Sequence, residues 1–358
     1  MGLIFAIILG IGLNIYELQV SLQRTLEGFS RMNIALITTG GTIASVVETS
    51  IQPTAHSSAQ TPLLLVEHFH QTHPAFGVTF DHFAPYAILS ENLTHAHWKH
   101  LITTIESLDT ALYDGIIITH GSDTLGYSAA LLGLYFHDYA LPIALVASNY
   151  PLSHPHANGH ANFAAALFAM NALVTPLVFV PYQNPNSASV ALYAALEMTQ
   201  IGQLTDSVTT PLGAIGSYDG QNVTLLPYTK IALNAPFAPL FYSDFFTFTP
   251  YPSLSYERFA FQPNDVILHT LYHSGTLHSD TAIAFAQKCQ ANGVALYFAP
   301  MSATSTPYAT TQALIDAGAT LIVDTTIELS TVKLLLAYGN AWERDAIEHL
   351  LTQKLLVR

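Results

Sequence analysis

Charge is scarce in this chain: only 9% of its 358 residues are Asp, Glu, Lys or Arg. Cations are the scarcer half, ten Lys+Arg against 24 Asp+Glu, so the formal net charge is 10 − 24 = −14. Ten basic residues spread over the chain cannot build the cationic track that a phosphate backbone needs, which argues against a nucleic-acid binder. The single cysteine, Cys289, excludes an internal disulfide framework and a multi-cysteine zinc site. Hydrophobic residues make up 50% and the mean hydropathy is +0.35, the opposite of a disordered composition. At about 150 residues per domain, the length fits two domains, each large enough for a core.

So apolar a chain raises the question of a membrane. Gly2 to Tyr16 is mostly apolar, but falls short of the roughly 20 residues a spanning helix needs. No Lys or Arg precedes it, so the charged start of a secretory leader is missing and a cytoplasmic location is expected. Phe163 to Pro181 is longer, but Pro176 divides it into a helix-like part (163–174) and a strand-like part (177–180). Residues 1–31 read as an N-terminal extension.

Short apolar runs then alternate with longer helical patterns, which predicts an α/β fold with a mainly parallel sheet flanked by helices. Strands are expected at 33–38, 115–119, 143–147 and 177–180, with helices at 94–108 and 125–136. Residues 228–263, rich in Pro, Phe, Tyr and Thr, read as an inter-domain connection. A smaller C-terminal α/β unit follows at 264–358, with strands at 266–271, 294–298 and 321–323. Its helices are expected at 281–291, 310–317 and 329–338, the last closing the unit. The larger N-terminal domain is then 32–227.

Two of the expected strands run straight into tight, hydroxyl-bearing turns: TTGGT at 38–42 and THGSDT at 119–124. In open α/β sheets, ligands bind beyond the carboxyl ends of the strands. Gly40 and Gly41 let a backbone approach a ligand, and the next hydroxyl can point into the crevice. Thr42, Ser122 and Asp123 are also the residue types that cap helices, which is the plainer role open to each turn. TTGGT is not a dinucleotide fingerprint, since no G-x-G-x-x-G follows a strand.

These motifs give the chain a resemblance to the bacterial-type L-asparaginases, which hydrolyse asparagine with a threonine nucleophile. TTGGTIAS at 38–45 and YDGIIITHGSDTLGYSAALL at 113–132 are similar to that family's two signatures. ILSENLT at 88–94, SNYPL at 148–152, NGHAN at 158–162, PLGAIG at 211–216 and the run at 317–339 extend the similarity over roughly residues 32 to 358. The resemblance implies Thr42 as nucleophile, with backbone N–H groups around Gly41 and the facing Gly121 turn receiving the oxyanion. It implies that Ser90 and Glu91 hold the substrate's amino-acid end, that Asp123 pairs with its ammonium, and that Ser122 supports the second half-reaction. No cofactor is implied. The expected partners are a small amino-acid amide and further copies of the chain in a homo-oligomer, dimer or tetramer, which complete each site.

Three departures from the family pattern stand out. Ser122 replaces a threonine, keeping the hydroxyl but losing a rotamer-fixing methyl. No tyrosine occurs between Thr42 and Tyr86. The relay lysine expected ahead of PLGAIG is absent: there is no Lys between Lys99 and Lys230, no Arg between Arg31 and Arg258, and no His between His160 and His269. A missing proton-transfer group costs on the order of 10²–10⁴-fold in rate. The alternative to an amidohydrolase is therefore a catalytically degraded relative that still binds a small amino acid through Ser90, Glu91 and Asp123.

Histidine is plentiful at 17 residues. His120 and His273 are placed to serve as bases, though packed and loop roles fit them better. His154, His156 and His160 have ligand-like spacing for a metal, but nothing makes them converge. His68, His70 and His73, like His95, His97 and His100, read as surface residues of helices.

Overall fold

The computed structural model describes residues 31–44, 60–233, 236–302 and 307–357. The apolar run at 2–16 and the expected extension lie outside the described residues. Among the described residues no helix is long and apolar enough to cross a membrane.

The first part of the chain runs β1 (Met32–Thr38), α1 (Gln60–Thr72), β2 (Val78–Phe83), α2 (His95–Glu106), β3 (Gly115–Thr119), α3 (Leu125–Tyr135), β4 (Ile143–Val146), α4 (Gly159–Ala172) and β5 (Val178–Tyr182). Three short strands follow, β6 (Val190–Ala194), β7 (Gly216–Tyr218) and β8 (Val223–Leu225). They form one eight-stranded sheet in the order β2-β1-β3-β4-β5-β6-β7-β8. The first five strands are parallel and the last three antiparallel.

The second part runs β9 (Thr229–Lys230), β10 (Phe245–Phe248), β11 (Val266–Thr270), α5 (Ser279–Ala291), β12 (Ala295–Met301), α6 (Ala309–Asp316), β13 (Thr320–Val323), α7 (Ile327–Gly339), α8 (Arg344–Thr352) and β14 (Leu356–Val357). β10 to β13 form a parallel four-stranded sheet, and β14 pairs with β9. The stretch 228–263 is thus not bare connection: β10 within it is the edge of the second sheet. Nor does α7 close the chain, since α8 and β14 follow it.

Strand alternation sorts the side chains into layers. Ile34, Leu36 and Ile117 face a core shared with α1 and α4, while Ala35, Ile37, Ile116 and Ile118 face α2, α3 and α7. Val266 and Leu268 of β11 reach that same central layer, and Ile267 packs on α5 instead. Continuous apolar strands are what a sheet covered on both faces requires. The central layer is therefore a helical filling between two sheets, and α3, buried almost all round, has α7 of the second part along one side.

Candidate active site

The strand order places β1 between β2 and β3, so the connection leaving β1 runs to one side, to β2, and the one leaving β3 to the other, to β4, which opens a crevice at the carboxyl ends of β1 and β3. That is where ligands bind in such sheets. Both signature turns sit there, because Thr38 and Thr119 are paired at the last register of the two strands.

Beyond Thr38 the turn is fixed by backbone bonds. Thr39 donates to the Thr119 carbonyl through both its N–H (3.3 Å) and its Oγ1 (2.8 Å). Gly40 and Gly41 follow at φ +98° and +83°, in the left-handed region where a side chain is strained. The Gly41 N–H donates to Ile88 O at 2.8 Å, and the Ile88 N–H to Thr39 O at 3.1 Å. A Cβ on Gly41 would strike the Gly121 backbone, and one on Gly121 would strike the Ser90 side chain. Three turns, from β1, from β3 and at residues 88–92, are thereby packed against one another with no room for side chains between them.

This packing brings the expected site residues together. Thr42 opens a short 3₁₀ turn, Thr42–Ala44, directly after Gly41, and is half-buried. Ser90 is buried, and its Oγ accepts from the Asp123 N–H at 3.2 Å while its carbonyl accepts from Thr124 Oγ1 at 3.1 Å. Ser122 is half-buried, and Glu91 and Asp123 are exposed at the mouth. Of the backbone N–H groups around Gly41, that of Gly41 itself is committed to Ile88 O.

The start of α3 is capped in an unexpected way. Thr124 is its N-cap and makes no side-chain capping bond. Instead Gln200, after β6, reaches across: its Oε1 accepts from the Gly126 N–H at 2.7 Å and its Nε2 donates to the Asp123 carbonyl. Sequence reasoning missed Gln200, since a lone glutamine carries no pattern to mark it.

The two tempting histidines have separate surroundings. His120 is buried, its Nδ1 donates to Gly121 O at 2.7 Å, and burial lowers its pKa, so the ring is neutral and built into the turn. His273 is exposed on the second part and lines a cavity of about 1370 Å³ whose walls include Glu328 and Lys333 but no residue of the signature turns. Lys333 supplies no relay there. Its Nζ donates to the carbonyls of Leu350 (2.8 Å) and Gln353 (3.3 Å) at the end of α8, and burial lowers its pKa to about 8.

His154 stacks on Tyr150 at 4.3 Å, whereas the ring of His160 lies 3.9 Å from that of His68 at a tilt of 31°. Among the described residues no group of three or more His, Cys, Asp or Glu is arranged to hold a metal ion.

The fold has counterparts among known proteins. Residues 33–202 match the family model "Asparaginase, N-terminal". The thermostable L-asparaginase from Thermococcus kodakarensis is similar in structure, with a TM-score of 0.75 at 20% identity, covering 90% of this chain and 98% of that one. L-asparaginase I from Vibrio cholerae gives 0.71 at 22% identity, covering 91% and 98%. Among curated proteins, a glutamyl-tRNA(Gln) amidotransferase subunit of Methanosphaera stadtmanae is 31% identical over 144 residues, 39% of this chain and 31% of the relative. The corresponding amidotransferase subunit of Haloquadratum walsbyi is 28% identical over 197 residues, 53% and 43%. The chain thus spans less than half the length of these two curated relatives.

Proposed function

The chain belongs to the asparaginase family, and from that premise we propose that it is an amidohydrolase releasing ammonia from L-asparagine through a Thr42 acyl-enzyme. The observation that supports this reading is the close packing of Gly41 on Gly121 and of Gly121 on Ser90, which brings the turn that continues into Thr42 against the turn that continues into Ser122 and Asp123, at the β1/β3 crevice. In this reading the Thr42 Oγ attacks the carboxamide carbon as its hydroxyl proton is released, the C–N bond breaks as the leaving nitrogen takes up that proton and departs as ammonia, and water then cleaves the ester to give aspartate and restore the Thr42 hydroxyl. Thr42 and Ser122 N–H groups are the oxyanion donors this reading uses, since those of Gly41 and Asp123 are bonded to Ile88 O and Ser90 Oγ. Ser90, Glu91 and Asp123 take the amino-acid end. The exposed position of Asp123 and Glu91 supports a homo-oligomer in which a neighbouring copy closes the mouth.

One observation favours a second reading. The stretch ahead of PLGAIG, where the relay lysine is expected, includes the apolar strand β6, four of whose five residues are buried, and no Lys, Arg or His occurs from residue 161 to 229. A site without that proton path fits a binder of small amino acids. Ammonia release from L-asparagine and L-glutamine, measured for the chain and for Thr42→Ala, separates the two. Turnover lost with Thr42 supports the amidohydrolase, and turnover that survives the substitution overturns Thr42 as nucleophile. No turnover in either protein, with L-aspartate raising the melting temperature, supports the binder. Glutamine is assayed because the curated relatives are amidotransferase subunits.

A further inference from the structure

We propose that Gln200 is a positioning residue for the substrate turn, held in place from the C-terminal part of the chain by Glu328. The inference rests on the reading of Asp123 as a substrate ligand.

Gln200 meets the turn with both ends of its amide. Its Oε1 accepts from the Gly126 N–H at 2.7 Å, an N–H in the first turn of α3 that the helix itself cannot satisfy. Its Nε2 donates to the Asp123 carbonyl. The approach is close enough that a Cβ on Gly126 would lie 2.7 Å from Gln200 Oε1 and 2.8 Å from Gln200 N, so a glycine is needed where the amide lands. With the Asp123 N–H held by Ser90 Oγ and its carbonyl by Gln200, the peptide units on both sides of Asp123 are fixed. The side chain left free to aim is the carboxylate that this reading gives to the substrate ammonium.

Gln200 is anchored in turn. Its own N–H donates to Glu328 Oε1 at 2.8 Å, and Glu328 stands on the first turn of α7, 128 residues further along the chain and only 4% exposed. Its Oε2 has no hydrogen-bond partner, and burial raises its pKa, favouring the neutral acid. A neutral acid still offers a carbonyl oxygen to the Gln200 N–H, and so would the amide of a glutamine at this position. The chain of contacts Glu328–Gln200–Asp123 thus ties the substrate turn of the first sheet to a helix that belongs to the second.

The test uses the full chain and four variants: Gln200→Ala, Gln200→Glu, Glu328→Ala and Glu328→Gln. L-Aspartate binding by calorimetry and ammonia release from L-asparagine are the readouts. Because a displacement of about 1 Å can cost up to about 100-fold, Gln200→Ala and Glu328→Ala are expected to weaken L-aspartate binding and kcat/KM by about tenfold or more. Circular dichroism should stay unchanged. Gln200→Glu, which turns a carboxylate oxygen toward the Asp123 carbonyl, should be at least as impaired. Glu328→Gln should restore near wild-type values, which a merely space-filling role of Glu328 would not single out from other substitutions. Wild-type binding and turnover in Gln200→Ala, or a Glu328→Gln no better than Glu328→Ala, overturns the proposal. If the unsubstituted chain neither binds aspartate nor releases ammonia, the functional reading has failed instead. Deuterium exchange over residues 121–135 then decides the positioning role: faster exchange in Gln200→Ala supports the clamp, and unchanged exchange overturns it.

Discussion

The Asp123 N–H donates to Ser90 Oγ at 3.2 Å across two turns that lie 33 residues apart in the chain. One hydroxyl thereby serves the scaffold, and in the proposed function it also faces the substrate. Ser90→Ala removes the acceptor and leaves the Asp123 N–H to find water or go unpaired. An unmade bond of this kind costs about 1–3 kcal/mol, so the variant is expected to bind L-aspartate at least about fivefold more weakly. Isothermal calorimetry checks this, and unchanged affinity would remove Ser90 from the proposed substrate site.

Gly41 combines two constraints that another glycine separates. Gly41 and Gly220 both have positive φ, +83° and +101°, but a Cβ at Gly220 meets nothing within 4 Å while one at Gly41 collides with Gly121. Gly220→Ala should therefore cost only the backbone term, about 1 kcal/mol. Gly41→Ala should cost more than about 2 kcal/mol and abolish ammonia release, because Gly121 or the Thr42 turn must move. Urea unfolding of both variants makes the comparison, and equal losses would mean that the three turns can part to admit a methyl group.

Lys333 makes stability depend on alkaline pH. Its pKa falls from 10.5 in the unfolded chain to about 8 in the fold, through burial. Between those values the unfolded chain holds a proton that the folded chain has released, so stability rises with pH across the window, by up to about 3 kcal/mol. Below pH 8 the term is flat. Buried tyrosines such as Tyr182, pushed up to about 12, act in the opposite sense, but only above pH 10. Urea midpoints at pH 7.5 and 9.5 should increase for the unsubstituted chain, and Lys333→Met should flatten that slope. An equal slope in the variant would assign it to another group.

The parallel half of the fold was legible because strands buried on both faces must be apolar throughout, as GIIIT and IALV are. Phe163 to Pro181 likewise resolved into α4 and β5, on either side of Pro176. The antiparallel strands β6 to β8 were not legible: three short segments whose residues vary in burial give no sustained period. α8 escaped as well, a short amphipathic helix beyond the run expected to end the chain. At the site, the glycine–hydroxyl turns announced themselves through residues with special backbone needs. Gln200 and Glu328 did not, because a polar side chain that bonds backbone atoms far away in sequence leaves no local spacing to read.

The burial of α3 has a consequence for how the polypeptide can be divided. Residues 33–202 match a family domain of their own, yet Leu125, Ala129, Leu132 and the rest of that helix share one apolar layer with Val332, Leu335 and Leu336, contributed more than a hundred residues later. A fragment ending near residue 202 would leave that layer wet along one side. Synthesis has to reach the last hundred residues before the helix that follows the Ser122–Asp123 turn is covered on its far side.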